Sequence, residues 1–182
     1  MTVQFKEETY GPEALSLTGL AEKLTSLDWF DKIGTTDAAV EQQVRQFVEA
    51  LGVEQFDVKW VAKEDIAATI GKLTFDNSDV WQVLKDIPDK LKNKIDEKER
   101  TALLESMVDA LPEAVFHPAY AGAFKQGTEE KAISYLVGNA MYISVMVCTA
   151  AIAEADLFQP LLDIVESGHT VLGLEGNTIY IV

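Results

Sequence analysis

Between Ala132 and Ala153 the chain runs for 22 residues without a charge, and Thr128-Glu129-Glu130-Lys131 stands directly in front. A hydroxyl followed by two acids marks a helix start: the side-chain oxygen accepts from a free backbone N–H, and the carboxylates face the positive end of the helix dipole. The pattern predicts one helix over about residues 129–154. Its roughly 26 residues, rising about 1.5 Å each, make a rod of about 39 Å, enough to cross a small domain. A helix apolar on every side must be buried, in a protein interior or in a bilayer.

The residues themselves favour the interior. The uncharged run exceeds the roughly 18 residues that raise the question of a membrane span. Yet Ser134, Gly138, Asn139, Tyr142, Ser144 and Thr149 put a polar or small group on almost every turn, no basic cluster flanks either end, and Glu154 and Asp156 follow at once. Ala140, Ser144 and Cys148 recur at four-residue spacing. That stripe of small side chains lets another backbone approach.

Around this helix the sequence alternates helical and short extended patterns. Thr2 to Lys6 suits a short edge strand, and Pro12 opens a helix whose face is Leu15, Leu20, Leu24 and Leu27, with Trp29 and Phe30 entering the core just beyond. After Gly34, Thr36 is the expected cap of a second helix presenting Val40, Val44, Phe47, Val48 and Leu51, which Gly52 ends. Phe56, Val58 and Trp60 alternate with polar residues, as a strand with one buried face does. Short helices are predicted for Ile66 to Leu73 and, capped by Asn77 or Ser78, through Leu84, with Pro88 against continuation. One helix is expected from Asp89 through a charged run to Leu111, and then a broken helix or aromatic-lined connection over 112–127. Pro160 opens a last helix ending at Gly168, and two β-rich runs joined at Glu175-Gly176-Asn177 form a hairpin. The expected fold is a mainly helical α+β domain spanning residues 1–182. Its long central buried helix (about 129–154) is packed with amphipathic helices and a small antiparallel sheet that includes the C-terminal hairpin. The strand at 56–61 is its expected third member and 2–6 a fourth.

Thirty acids against fifteen bases give a net charge of −15, and no Lys or Arg occurs after Lys131. Such a charge repels phosphate backbones and anionic membranes, so neither nucleic acid nor a membrane is an expected partner. It favours solubility and a basic protein partner. The start of the sequence lacks a basic segment leading into an apolar run, and the lone cysteine cannot form an internal disulfide, so a cytoplasmic location is expected. Phe116, Tyr120 and Phe124 would favour a homodimer if exposed and a monomer if buried.

Few groupings carry chemistry. Asp163, Glu166 and His169, three residues apart, form the best candidate metal-ligand set, although steps of three drift around a helix and no second histidine or cysteine supports them. Otherwise they are an acidic face with a histidine at a helix C-terminus. His117 and Cys148 would make a nucleophile pair only if the thiol were reachable and its pKa low, and Cys148 is expected to be buried. Asp28 and Asp31, flanking Trp29-Phe30, are a carboxylate pair of the kind used in acid–base work, better read as caps or loop residues in so acidic a chain. Ser134, Asn139, Ser144 and Thr149 either line a small pocket beside Tyr135 or Tyr142 or bond to backbone carbonyls, the latter being favoured. No phosphate loop, dinucleotide fingerprint, Cys-x-x-Cys pair or Gly-x-Ser-x-Gly elbow occurs, so no cofactor is expected. The sequence reads as a non-catalytic binding or regulatory module; the alternative is a small hydrolase or transferase with an unrecognised carboxylate/His site.

Overall fold

A computed structural model describes residues 13–74, 78–153 and 157–182. In chain order its elements are α1 (Glu13–Ser26), α2 (Ala38–Ala50), β1 (Asp57–Trp60), α3 (Ile66–Ile70), α4 (Asp79–Leu84), α5 (Ile87–Lys92), α6 (Glu97–Leu111), a π-helical turn (Pro112–Phe116), α7 (His117–Lys125), α8 (Glu130–Ile152), α9 (Gln159–Glu166), β2 (Val171–Glu175) and β3 (Thr178–Ile181). The strand expected at 2–6, Pro12 and Asn77 lie outside the described residues.

The uncharged run forms α8, and it is the axis of a mainly helical α+β fold. It packs directly on α1, α3, α5, α6, α7 and α9. Its length and composition would suit a membrane span, and 61% of its most apolar window is buried inside the protein. The small-residue stripe of Ala140, Ser144 and Cys148 is buried throughout. Thr128 does not cap it. Its Oγ1 instead donates to the Ala123 carbonyl at 2.8 Å, closing the end of α7, and Glu129 takes the capping position.

The junction after α1 is an anchor. Trp29 and Phe30 are both buried, with Trp29 Nε1 donating to the Leu24 carbonyl at 2.9 Å. Phe30 holds a positive φ of 63°, which turns the chain sharply after the helix. α7 presses on this turn through Gly122: a Cβ there would stand 2.3 Å from the Trp29 carbonyl oxygen, so only glycine fits. The cap of α2 is Asp37 rather than Thr36, its carboxylate accepting from Ala39 N at 2.8 Å. Glu41 on α2 accepts from Arg45 and from Trp60 Nε1 at 3.1 Å, tying the helix to β1.

Two further expectations are corrected. The segment from Asp89 to Leu111 is not one helix: α5 ends at Lys92, with Asn93 as its C-cap, and Asp96 starts α6 afresh by accepting from Lys98 N at 2.9 Å. Leu91 and Ile95, both buried, pin the interruption to the core. The sheet is mixed rather than antiparallel, in the order β1-β3-β2. β2 and β3 form the predicted antiparallel hairpin, with Gly176 at φ 56° in its two-residue loop. β1 joins the far side of β3 in parallel, Val58 beside Ile179 and Trp60 beside Ile181. The reason is connectivity, since most of the helices lie between β1 and β3 and return the chain in the same direction. Ile179, Ile181 and Leu172 face the core, fully or almost fully buried.

Candidate functional site

Between α8 and the layer formed by α2, α4 and the hairpin lies a cavity of about 480 Å³. That volume is in the range of small-molecule sites, roughly 300–1,000 Å³. Val44, Phe47 and Val48 of α2, Val80, Trp81 and Leu84 of α4, and Leu172, Leu174 and Ile179 of the sheet supply its apolar wall. The opposite wall is one face of α8, where Ser134, Gly138 and Tyr142 follow at four-residue spacing with Tyr135 and Asn139 beside them.

Local structure explains the shape. A β-bulge falls between Val171 and Gly173, and a Cβ on Gly173 would stand 2.7 Å from Leu73 Cδ1 and 3.1 Å from the Tyr135 hydroxyl. Glycine therefore lets the helix-borne phenol reach the bulged strand. Asn139 fastens the same strand, its amide donating to the Val171 carbonyl and, at 3.3 Å, to Thr170 Oγ1. Gly138 is different, because a Cβ there would meet no described atom within 4 Å. Neither packing nor a positive φ requires glycine at this mid-helix position, and its missing side chain leaves open space in the cleft. Ser134 and Tyr142 are exposed, so they lie where the cleft meets solvent.

The site is electrically quiet. Its eighteen described lining residues include no Asp, Glu, Lys, Arg or His. Partial desolvation pushes both Tyr135 and Tyr142 further above the ordinary phenol value of 10.0, so both are neutral near pH 7. The cleft can therefore enclose apolar surface and offer hydroxyls, but its described lining supplies no counterion.

The polar residues of α8 divide between the two roles weighed for them. Ser134 and Asn139 line the cavity with Tyr135 and Tyr142. Ser144 and Thr149 donate to the Ala140 and Val145 carbonyls, each at 2.8 Å.

The three candidate metal ligands engage separate partners. Asp163 accepts from Gln159 Nε2 at 2.7 Å, and Glu166 pairs with Lys23. His169 is only 1% exposed, with Nδ1 3.0 Å from Ser167 Oγ, Nε2 3.2 Å from Thr35 Oγ1 and its ring against Trp60. Burial holds its pKa below the ordinary 6.5, against an upward pull from Asp37. Among the described residues no group of three His, Cys, Asp or Glu side chains could hold a metal ion. Cys148 is buried in α8, where desolvation pushes its thiol up to about 12, while His117 is exposed with its ring edge against Phe116. Asp31 faces Lys125 Nζ at 3.5 Å and its N–H bonds the Asp28 carbonyl, a loop arrangement.

The apolar wall was missed in sequence. Val44, Phe47 and Val48 read as ordinary core, and the signals that they face a cavity lay on the other side, in the hydroxyls and amide of α8 beside its tyrosines and in a mid-helix glycine between Ser134 and Tyr142. No family model, curated protein or solved structure matches the chain.

Proposed function

We propose that this chain is a non-catalytic binding module whose cleft between α8 and α2/α4 holds a small, largely apolar molecule. The observation that carries this reading is a cavity of about 480 Å³ with aliphatic and aromatic walls and a few neutral polar groups on one side. Convergence of apolar area with a few placed hydroxyls and amides is the usual composition of a ligand site. Catalysis generally needs a poised acid, base, nucleophile or metal, and the titratable groups among the described lining residues are two phenols held above their ordinary value.

The net charge of −15 remains the ground for a basic protein partner. It assigns that partner to no particular face, since the described acids beyond Lys131, namely Asp163, Glu166 and Glu175, each engage a partner within the chain.

Titration with N-phenyl-1-naphthylamine, a neutral apolar fluorophore at pH 8, tests the proposal. Saturable enhancement with one site per chain supports it. Absence of saturable binding, or enhancement only on partial unfolding, refutes it.

A further inference from the structure

We infer that the cleft selects an uncharged amphiphile, an apolar body carrying a hydroxyl-type end, over the corresponding carboxylate or ammonium. This rests on the proposal that the cleft is a binding site, and it adds the ligand's charge and polarity.

Three observations converge. The described wall holds no residue ionised near neutral pH, so a carboxylate or ammonium group brought inside would lose its water without gaining a counterion. The polar side-chain atoms of the described lining are neutral and, the Trp81 indole N–H aside, lie on one wall, α8. Ser134 and Tyr142 are exposed at the mouth, and the Tyr135 hydroxyl is further in beside Gly173. A hydroxyl both donates and accepts, so it matches an alcohol, ether or carbonyl end. Finally, Gly138 lies midway between Ser134 and Tyr142 on the same face, with open space above its Cα. Gly138 is exposed like its two neighbours, so the helix presents no side chain between the two hydroxyls and the mouth stays open there.

The long-range field and the local lining make separable demands. The net charge of −15 repels an anion and attracts a cation from outside, whereas the described lining gives neither a counterion. At about 1 M salt the screening length falls to about 3 Å, so discrimination that survives there comes from the cleft itself.

The experiment is competition against bound N-phenyl-1-naphthylamine at pH 8 and about 1 M NaCl, using 1-octanol, octanoate and octylammonium. The expected result is displacement by octanol at concentrations at least about tenfold lower than by either ion, the factor that about 1.4 kcal/mol of uncompensated charge burial produces. A Gly138→Leu variant, checked for an unchanged unfolding profile, should lose fluorophore and octanol binding together. If this variant does not fold, Ser134→Leu at the exposed mouth replaces it, with the same loss expected. Equal displacement by octanoate, or tighter binding of octylammonium, overturns the inference while leaving the binding site standing. Unimpaired octanol binding in a folded variant overturns its placement. Failure of the fluorophore to bind the unmodified chain is the separate failure of the underlying proposal.

Discussion

The same substitution at two helix glycines should change stability in opposite directions. In α8, alanine at Gly138 adds a methyl group that meets no described atom within 4 Å. Only the helix-propensity gain then acts, about 0.8–1 kcal/mol. In α7, alanine at Gly122 brings the same gain, but its Cβ would stand 2.3 Å from the Trp29 carbonyl oxygen and 3.1 Å from Trp29 Cβ. A backbone carbonyl cannot rotate away, and Trp29 is itself fixed by burial and by its bond to Leu24. Overpacking of this kind costs about 1–3 kcal/mol, and an obstacle this close belongs at the upper end, leaving a net loss of about 2 kcal/mol. For a chain of this size about 1 kcal/mol moves Tm by about 2–4 °C. Gly138→Ala should therefore raise Tm by about 2–4 °C and Gly122→Ala lower it by about 4–8 °C, read by circular dichroism or calorimetry. If Gly122→Ala is as stabilising as Gly138→Ala, α7 is not seated on the Trp29 turn and the reasoning from that close approach fails.

Stability should also fall on mild acidification. The depressed pKa of His169 means that its contribution is complete above the unfolded value near 6.5 and is lost as pH drops below it. The stability difference between the parent chain and His169→Asn should therefore shrink between pH 8 and 5.5 in urea titrations. A constant difference refutes this, and the Glu41 carboxylate, depressed by its bonds from Arg45 and Trp60, titrates below 4.5 and leaves that window clear. Removal of residues 170–182 deletes the central strand with buried Ile179, Ile181 and Val182. At about 2–5 kcal/mol for each large buried side chain the three together are worth about 6–15 kcal/mol, as much as an ordinary total stability of about 5–15 kcal/mol, so cooperative unfolding should vanish; an unchanged denaturant midpoint would contradict the sheet's role. Phe116, Tyr120 and Phe124 are exposed by 43%, 47% and 66% and stack on one another. Sedimentation at several concentrations should accordingly show a homodimer that Phe124→Ser weakens, and a monomer at every concentration refutes that expectation.

Periodicity made the elements legible because it reports which face of a segment is buried. Val40, Val44, Phe47 and Val48 announce α2, and the alternation at 56–60 announces β1. Periodicity does not report partners. Val58 and Trp60 carry the same pattern whether β1 runs with or against β3, so the parallel pairing was out of reach. The break between α5 and α6 was hidden by a charged run of good helix formers. Asp96 as a new cap, and Ile95 as a buried anchor just before it, outweighed that propensity. For the cleft, the α8 side was half visible, since hydroxyls and an amide beside tyrosines suggested a pocket. Its other wall needs three separate segments to stop short of α8, which is a tertiary fact. Ser144 and Thr149 look like Ser134 in sequence, yet their position on the helix directs them to carbonyls of their own backbone.

Backbone amide shifts of the labelled protein, followed by NMR as 1-octanol is added, test the cleft most directly. The account predicts saturable changes centred on Ser134, Gly138 and Tyr142 of α8 and on Val80, Trp81 and Leu84 of α4, the two walls that face each other across the cavity. Changes confined to the exposed Phe116, Tyr120 and Phe124 ladder, or no saturable change at all, would contradict it.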